Sequence, residues 1–251
     1  MSPGAGASTI EVLEAFDVVR VKAANPSLLT LDGTNTWVLG RDPAWVVDPG
    51  PALGAHLDAV AEVVAARGGA GGIAVTHGHA DHTEAVEPLR ARLGGVEVGP
   101  GPLEVVPVPG HSDDHVAFVL GDVCCTGDAV LGDGSVFVAG DMAGYLDALR
   151  GLRERDLRLL CPGHGPPVLD PRAKLTAYLD HRLDRERRLV AALDDGLRSD
   201  DELLDAAWSD APAVLRPASL LTLRSHLRKL AAEGRLPAGL AVPDTGELPA
   251  V

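Results

Sequence analysis

Apolar residues fall in short runs through the first two thirds of this chain, at 36–39, 44–47, 73–76, 103–108, 116–120 and 136–139. Each run is bounded by Gly, Pro, Asp or Asn, and each is too short for a helix, so each predicts a strand. Between them, 55–66 and 83–93 carry apolar residues at helical spacing and are followed by glycine, which predicts two amphipathic helices. Strands alternating with helices imply a layered α/β domain rather than a bundle. After His164 the period changes. Asp170 and Pro171 open a long helix whose stripe is Leu175, Tyr178, Leu179, Leu189, Val190 and Leu193, ending at Gly196. Ser199 with Glu202 three residues later starts a second helix with a capping box. A third spans 217–233, with Leu220, Leu223, Leu227 and Leu230 inward and Gly234 as its stop. The expected organisation is a flexible leader at 1–9, a catalytic domain at 10–170, a small helical domain at 171–236 and a tail at 237–251.

A length of 251 residues with 46% hydrophobic content is enough for a substantial core. No stretch approaches the roughly 18 apolar residues of a membrane span, and residues 1–7 lack both the basic start and the apolar segment of a secretion signal. The expectation is a cytoplasmic protein without a membrane partner. Three cysteines, two of them adjacent at Cys124 and Cys125, make no disulfide framework, and Cys161 reads as a buried strand residue. The net charge of −14 is uneven: residues 1–170 hold 10 Lys/Arg against 23 Asp/Glu, and residues 171–235 hold 12 against 11. So acidic a body argues against tight nonspecific duplex binding, which needs Lys and Arg to neutralise phosphate.

The chemistry concentrates at Thr76-His77-Gly78-His79-Ala80-Asp81-His82, directly after a strand-like run. Isolated histidines are mostly surface or packing residues. Three imidazoles and a carboxylate in six residues are instead a metal-ligand set of the kind that suits zinc. His111, Asp128 and His164 each follow another apolar stretch, where sheet proteins place functional groups. No Gly-x-Ser-x-Gly motif offers a competing nucleophile, and Ser112 reads as a loop hydroxyl.

The ordered set His-x-His-x-Asp-His, His111, Asp128 and His164 resembles the metallo-beta-lactamase superfamily, over about residues 35–164. The resemblance implies a four-layer αββα sandwich with two divalent metal ions, expected to be zinc, at one edge of its sheets. On the matching positions, His77, His79 and His111 would hold one ion, Asp81, His82 and His164 the other, and Asp128 would bridge them. An aspartate where many true lactamases carry cysteine resembles the glyoxalase II, phosphodiesterase and RNA-processing branches. Asn35-Thr36-Trp37, Val46-Val47-Asp48-Pro49-Gly50, Gly110-His111-Ser112-Asp113-Asp114-His115 and Gly140-Asp141-Met142 with Tyr145 look most like the lactamase-beta-2-type subgroup. Members of that subgroup carry a winged-helix-like appendage, which the three C-terminal helices resemble. Glu84-Ala85 departs from the glycine pair found in many relatives. The 53 residues from His111 to His164 leave no room for the large inserted domain of the polyadenylation and DNA-repair nucleases.

In such a site a metal-bridging hydroxide would be the nucleophile, with Asp81 orienting or deprotonating it. His115 would be a proton donor, a substrate contact or a packing residue, and Asp48 a partner that orients a ligand. The leading expectation is endonucleolytic cleavage of single-stranded RNA, for which Arg224, Arg228 and Lys229 on the third helix would contact phosphate, unless they only solvate that helix. The alternative is a glyoxalase II-like thioesterase acting on a small acyl-thiol. A non-catalytic, metal-stabilised regulatory protein is the third reading.

Overall fold

The computed structural model describes residues 6–238, 240 and 242. Its first sheet runs in chain order through β1 (Thr9–Leu13), β2 (Val18–Lys22), β3 (Asn35–Leu39), β4 (Ala44–Val47), β5 (Ala70–Ala74) and β6 (Glu97–Val98). The pairs are antiparallel as far as β4 and parallel from β4 to β6. The second sheet takes β7 (Glu104–Pro107), β8 (Val116–Leu120), β9 (Val123–Gly127) and β10 (Leu159–Pro162) in the spatial order β10-β9-β8-β7, with only β9 and β10 parallel.

Alternation along each strand distributes side chains to two buried faces. Trp37, Leu39, Val47, Phe118, Cys125 and Cys161 fill the space between the sheets. Val38, Val46 and Ile73 point the other way, onto α1 (Gly54–Ala66) and α3 (Val86–Arg92). Val119, Cys124 and Leu160 pack on α4 (Met142–Arg153) and on Leu175 and Tyr178 of α5 (Pro171–Asp194). The result is helix, sheet, sheet, helix, as the sequence resemblance implied.

Three local expectations change. The helix expected at 83–93 is split into α2 (Ala80–Thr83) and α3, with Ala85 bonded instead to the carbonyl of Gly50. The strand expected at 73–76 ends as β5 at Ala74, because Thr76 turns to Asp48. Residues 136–139 form no strand. Helix side chains meet much of their backbone: Thr222 accepts from Val138 N, Arg182 donates to the Val136 carbonyl and Arg228 to that of Ala139.

The C-terminal helices are α5, α6 (Asp200–Ala207) and α7 (Arg216–Ala232). Asp170 caps α5 by accepting from Ala173 N, and Ser199 and Glu202 make the expected capping box on α6. Leu189, Leu193, Leu203, Leu204, Trp208, Leu223, Leu227 and Leu230 form their common core. Among the described residues no strand follows α7, so the wing of a winged helix is not part of what is seen. At the other end, residues 1–5 lie outside the described residues, Ser8 hydrogen-bonds His56, and Thr9 already belongs to β1.

Candidate metal centre

Two sheet edges converge on the His-rich turn. Val116 N donates to the Thr76 carbonyl, which joins the chain after β5 to β8, and Asn35 N donates to the Gly163 carbonyl, which joins β3 to the end of β10. Asn35 Nδ2 also reaches the carbonyls of Pro162 and Gly165 at 2.9 and 2.8 Å, so three bonds from one residue fix the turn carrying His164. Glycine is required beside the ligands: a Cβ at Gly163 would sit 2.6 Å from His82 Cε1, and Gly127, at φ 46°, passes close to the Thr76 hydroxyl.

Seven side chains meet there in two groups. His77, His79, His111 and Asp128 form one, and Asp81, His82 and His164 the other, each with its candidate ligand atoms within 4.8 Å of one another. Asp128 lies between them. Its carboxylate is 3.7 Å from His111 Nε2, 3.5 Å from His82 Nε2 and 3.3 Å from His164 Nε2. These are the seven residues the sequence singled out, brought together from positions 87 residues apart.

Three of the rings, His82, His111 and His164, are aimed by a partner on their far side. Asp48, held at the left-handed φ of 52°, accepts Thr76 N at 2.7 Å and the Thr76 hydroxyl at 2.8 Å, and lies 3.0 Å from His82 Nδ1. That leaves His82 Nε2 facing Asp81 and Asp128, buried and without a hydrogen-bond partner. His111 Nδ1 faces the Phe137 carbonyl and His164 Nδ1 the Gly33 carbonyl, both at 3.3 Å. A backbone or carboxylate partner on one ring nitrogen with the other nitrogen free is the arrangement of a metal-ligating histidine.

The electrostatics agree. Burial alone would raise the Asp128 carboxyl, but His164 and His82 outweigh it and hold the group well below the usual carboxylate range. Burial likewise opposes the low value of Asp81, which His164 and His82 secure. His77 and His111 are driven down, foremost by burial, and stay neutral. Neutral imidazoles and ionised carboxylates are the forms that bind a cation. His82 and His164 go the other way: burial would lower them, but Asp128 and the neighbouring carboxylates outweigh it, raising His164 to about 9 and His82 well above its usual value, so each holds a proton that a cation would displace on binding. The orphaned His82 Nε2 and Asp128 Oδ1, both buried, mark where one fits.

His115 is placed differently. It is 1% exposed, stacks on His77 with ring centroids 4.8 Å apart, and accepts the backbone N–H of Asp128 at 3.1 Å. It supports the Asp128 turn and does not line the cavity. Tyr145 is a core residue whose hydroxyl donates to the Ala129 carbonyl, and the three cysteines are buried free thiols. Sequence reasoning missed Thr34, whose hydroxyl donates to Asp81 Oδ2 at 2.9 Å, and the apolar run Leu28, Leu29 and Leu31.

Those leucines belong to a cavity of about 220 Å³ that opens onto His79, Asp81, His111, Asp128 and His164. Its apolar walls are Leu28, Leu29, Leu31, Val136, Phe137 and Leu215, with Thr30, Asp133 and Ser135 also on its lining, and among the described residues no Lys or Arg lines it. The cations of α7 are turned elsewhere. Arg224 pairs with Asp200 at 2.9 Å, Lys229 with Glu186 and Glu233 at 2.8 Å, and Arg228 donates to the carbonyls of Ala139 and Gly140.

Comparison with known proteins fits this geometry. Residues 85–164 match the family model of the metallo-beta-lactamase superfamily. A beta-lactamase-like protein 2 homolog of Caenorhabditis elegans is 27% identical over 86% of this chain and 85% of its own length. An atrochrysone carboxyl ACP thioesterase of Aspergillus chevalieri is 33% identical over 70% of this chain, an alignment that takes in 65% of the fungal protein. Among solved structures, a beta-lactamase domain protein from Burkholderia ambifaria aligns with a TM-score of 0.72 at 20% identity, covering 93% of this chain and 90% of its own. With the family match, the sandwich and the ligand cluster in agreement, this chain carries a metallo-beta-lactamase superfamily domain.

Proposed function

We propose that the protein is a metal-dependent hydrolase of thioesters whose acyl group is apolar. The observation that carries this reading is the cavity itself, which ends on the His/Asp cluster, has leucine, valine and phenylalanine walls, and has no cationic group among its described lining residues. An acyl chain gains from such walls about 25 cal/mol for each Å² it removes from water. A polyanion would gain nothing there, since phosphate binding draws on Lys and Arg. The fungal relative named as a thioesterase supports the same reading.

His77, His79, His111 and Asp128 would hold one ion and Asp81, His82 and His164 a second, with Asp128 shared between them. Divalent ions bound there supply Lewis acidity, polarising the scissile carbonyl and lowering the pKa of water. The protein's own contribution is orientation. Asp48, Phe137 and Gly33 aim three imidazoles, and Thr34 fixes the Asp81 carboxylate, which is ionised and able to accept a proton from an attacking water. An acyl chain lying along the leucines would displace water from that side. A thiol of ordinary pKa near 8.5 departs as thiolate without a proton donor, so the placement of His115 away from the cavity is no obstacle. An alkoxide leaving from an RNA phosphodiester would need such a donor, and the phosphate contacts expected of α7 are occupied within the fold. A cytoplasmic setting is part of the proposal, supported by three free thiols, which suit a reducing compartment. Among the described residues no helix is long and apolar enough to cross a membrane.

The test is a substrate panel on zinc-loaded protein: acetyl and octanoyl thioesters of N-acetylcysteamine beside an unstructured RNA oligonucleotide. Octanoyl turnover above acetyl, lost on chelation and restored by metal, is expected. Cleavage of the RNA with both thioesters intact would refute the reading.

A further inference from the structure

The connection between β2 and β3 reaches both the cavity and the ligands. At its tip, Leu28, Leu29 and Leu31 are 58, 37 and 36% exposed, and all three line the cavity. At its base, the Thr34 hydroxyl donates to Asp81 Oδ2 at 2.9 Å, and the Gly33 carbonyl faces His164 Nδ1 at 3.3 Å. Two of the three ligands in the Asp81, His82 and His164 group therefore touch this one segment.

Tip and base are tied together by side chains. Asn25 Nδ2 donates to Thr34 Oγ1 and Asn25 Oδ1 accepts Thr34 N, both at 2.9 Å. Thr30 Oγ1 donates to the Asn25 carbonyl at 2.6 Å, and Ser27 Oγ accepts the N–H groups of Leu29 and Thr30 at 3.1 and 3.0 Å. The Thr34 hydroxyl has a single proton. With the Asn25 amide donating to its oxygen, that proton is directed to Asp81, so the orientation of the carboxylate depends on where Asn25 sits. Asn25 in turn is bonded to Thr30, between the leucines. The other ligand group is oriented from elsewhere: His77 by Thr76, and His111 by Phe137.

We propose that residues 25–34 form a clamp in which Thr34 is a positioning residue, coupling occupancy of the leucine-walled cavity to metal retention by the Asp81, His82 and His164 group. The inference rests on the proposed metal-dependent hydrolysis of apolar thioesters. An acyl chain packed against the leucines orders the segment and with it the Asp81 carboxylate, and by linkage an ion held at that group favours the ordered segment and so the acyl chain. His77 and His111 of the other ligand group take their orientation from Thr76 and Phe137, not from Thr34.

Metal release tests it. Zinc-loaded protein is mixed with a chromophoric chelator, with and without 1-octanol as the cavity occupant. Wild type is expected to release metal in two phases, one of them slowed by octanol. Thr34→Val is expected to weaken retention in that phase by roughly 10–100-fold, the usual effect of removing a partner that orients a ligand. It should leave the other phase unchanged and abolish the octanol effect, while Thr34→Ser restores both. Asn25→Asp, whose carboxylate competes for the Thr34 proton, should act in the same direction and decides the matter if Thr34→Val does not fold. Variant release indistinguishable from wild type, or wild-type release indifferent to octanol, overturns the clamp. Failure of the functional reading shows separately, as wild-type protein that retains no zinc or leaves both acyl thioesters intact.

Discussion

Glu186 on α5 is the least exposed carboxylate of the C-terminal helices, and replacing it with glutamine should cost about 2–3 kcal/mol of folding stability at pH 7. Its side chain is 8% exposed and receives Lys229 at 2.8 Å and Arg235 at 2.9 Å, with His226 Nδ1 3.5 Å away. His226, Lys229 and Arg235 together bring the carboxyl down from 4.5 to about 2, against the opposing effect of burial. Burial keeps His226 itself toward the neutral form, so this largest contributor acts as a ring nitrogen facing the carboxylate, while Lys229 and Arg235 add full positive charges. A carboxyl lowered to about 2 corresponds to roughly 3 kcal/mol at neutral pH. Glutamine keeps one acceptor, and Lys229 and Arg235 both retain Glu233, which reduces that figure somewhat. The sign follows from the depressed value: the stabilisation is complete above 4.5 and is lost as pH falls through about 2. The assay is urea unfolding of chelated wild type and Glu186→Gln from pH 7 to pH 3. The gap between them should narrow to about half at pH 3. A gap below about 1 kcal/mol at pH 7, or one that does not change with pH, would show that the hub is solvated and the reasoning wrong.

Two further outcomes follow from the cavity and from a second buried group. Leu29→Asp should raise KM for the octanoyl thioester about tenfold, the equivalent of roughly 1.5 kcal/mol of lost apolar contact, with acetyl turnover nearly unchanged; equal effects on both substrates would place the acyl chain elsewhere. Burial lowers His56 from 6.5 to about 4, and its ring is bonded to Thr36 and Ser8. Only the unfolded chain takes up this proton between those values, so stability should drop as pH is lowered from 6.5 to about 4, by up to about 3 kcal/mol. His56→Gln should flatten that part of the profile, and profiles of identical slope would contradict the assignment.

The ligand set was legible because its members sit at strand ends within a few residues of apolar runs, so each is marked by its own local pattern. The layered fold was legible for the same reason, through the short apolar runs that became β3, β4 and β8 and the helical spacing between them. What could not be read depends on partners far along the chain. Residues 136–139 have the composition of a strand, but Val138 is satisfied by Thr222, 84 residues away. Arg224 and Lys229 look like free cations until Asp200 and Glu186 are brought beside them by the packing of α5 to α7. His115 lies four residues from a ligand, and only the turn at Asp128 shows that its ring accepts a backbone N–H. No local signal distinguished Thr34 from any other threonine between a turn and a strand.

These long-range contacts also shape the cavity over the ligands. A histidine and aspartate cluster of this type serves hydrolysis of several bond classes, so the ligands do not choose the substrate. The choice falls to the segments over them, and here there are two. Residues 25–34 approach from the first sheet and reach Asp81 and His164. Residues 136–140 approach from the other side, reach His111 through the Phe137 carbonyl, and are fastened to α7 by Thr222, Ser225 and Arg228. The first brings three leucines to the cavity and the second a valine and a phenylalanine, while Leu215 enters beside the start of α7. Of the α7 cations, Arg228 fastens this cover, while Arg224 and Lys229 are paired with Asp200, Glu186 and Glu233 within the C-terminal helices. On the proposed reading, the C-terminal helices would act on substrate choice by fixing an apolar wall next to the ligands, with their basic residues contributing from within the fold.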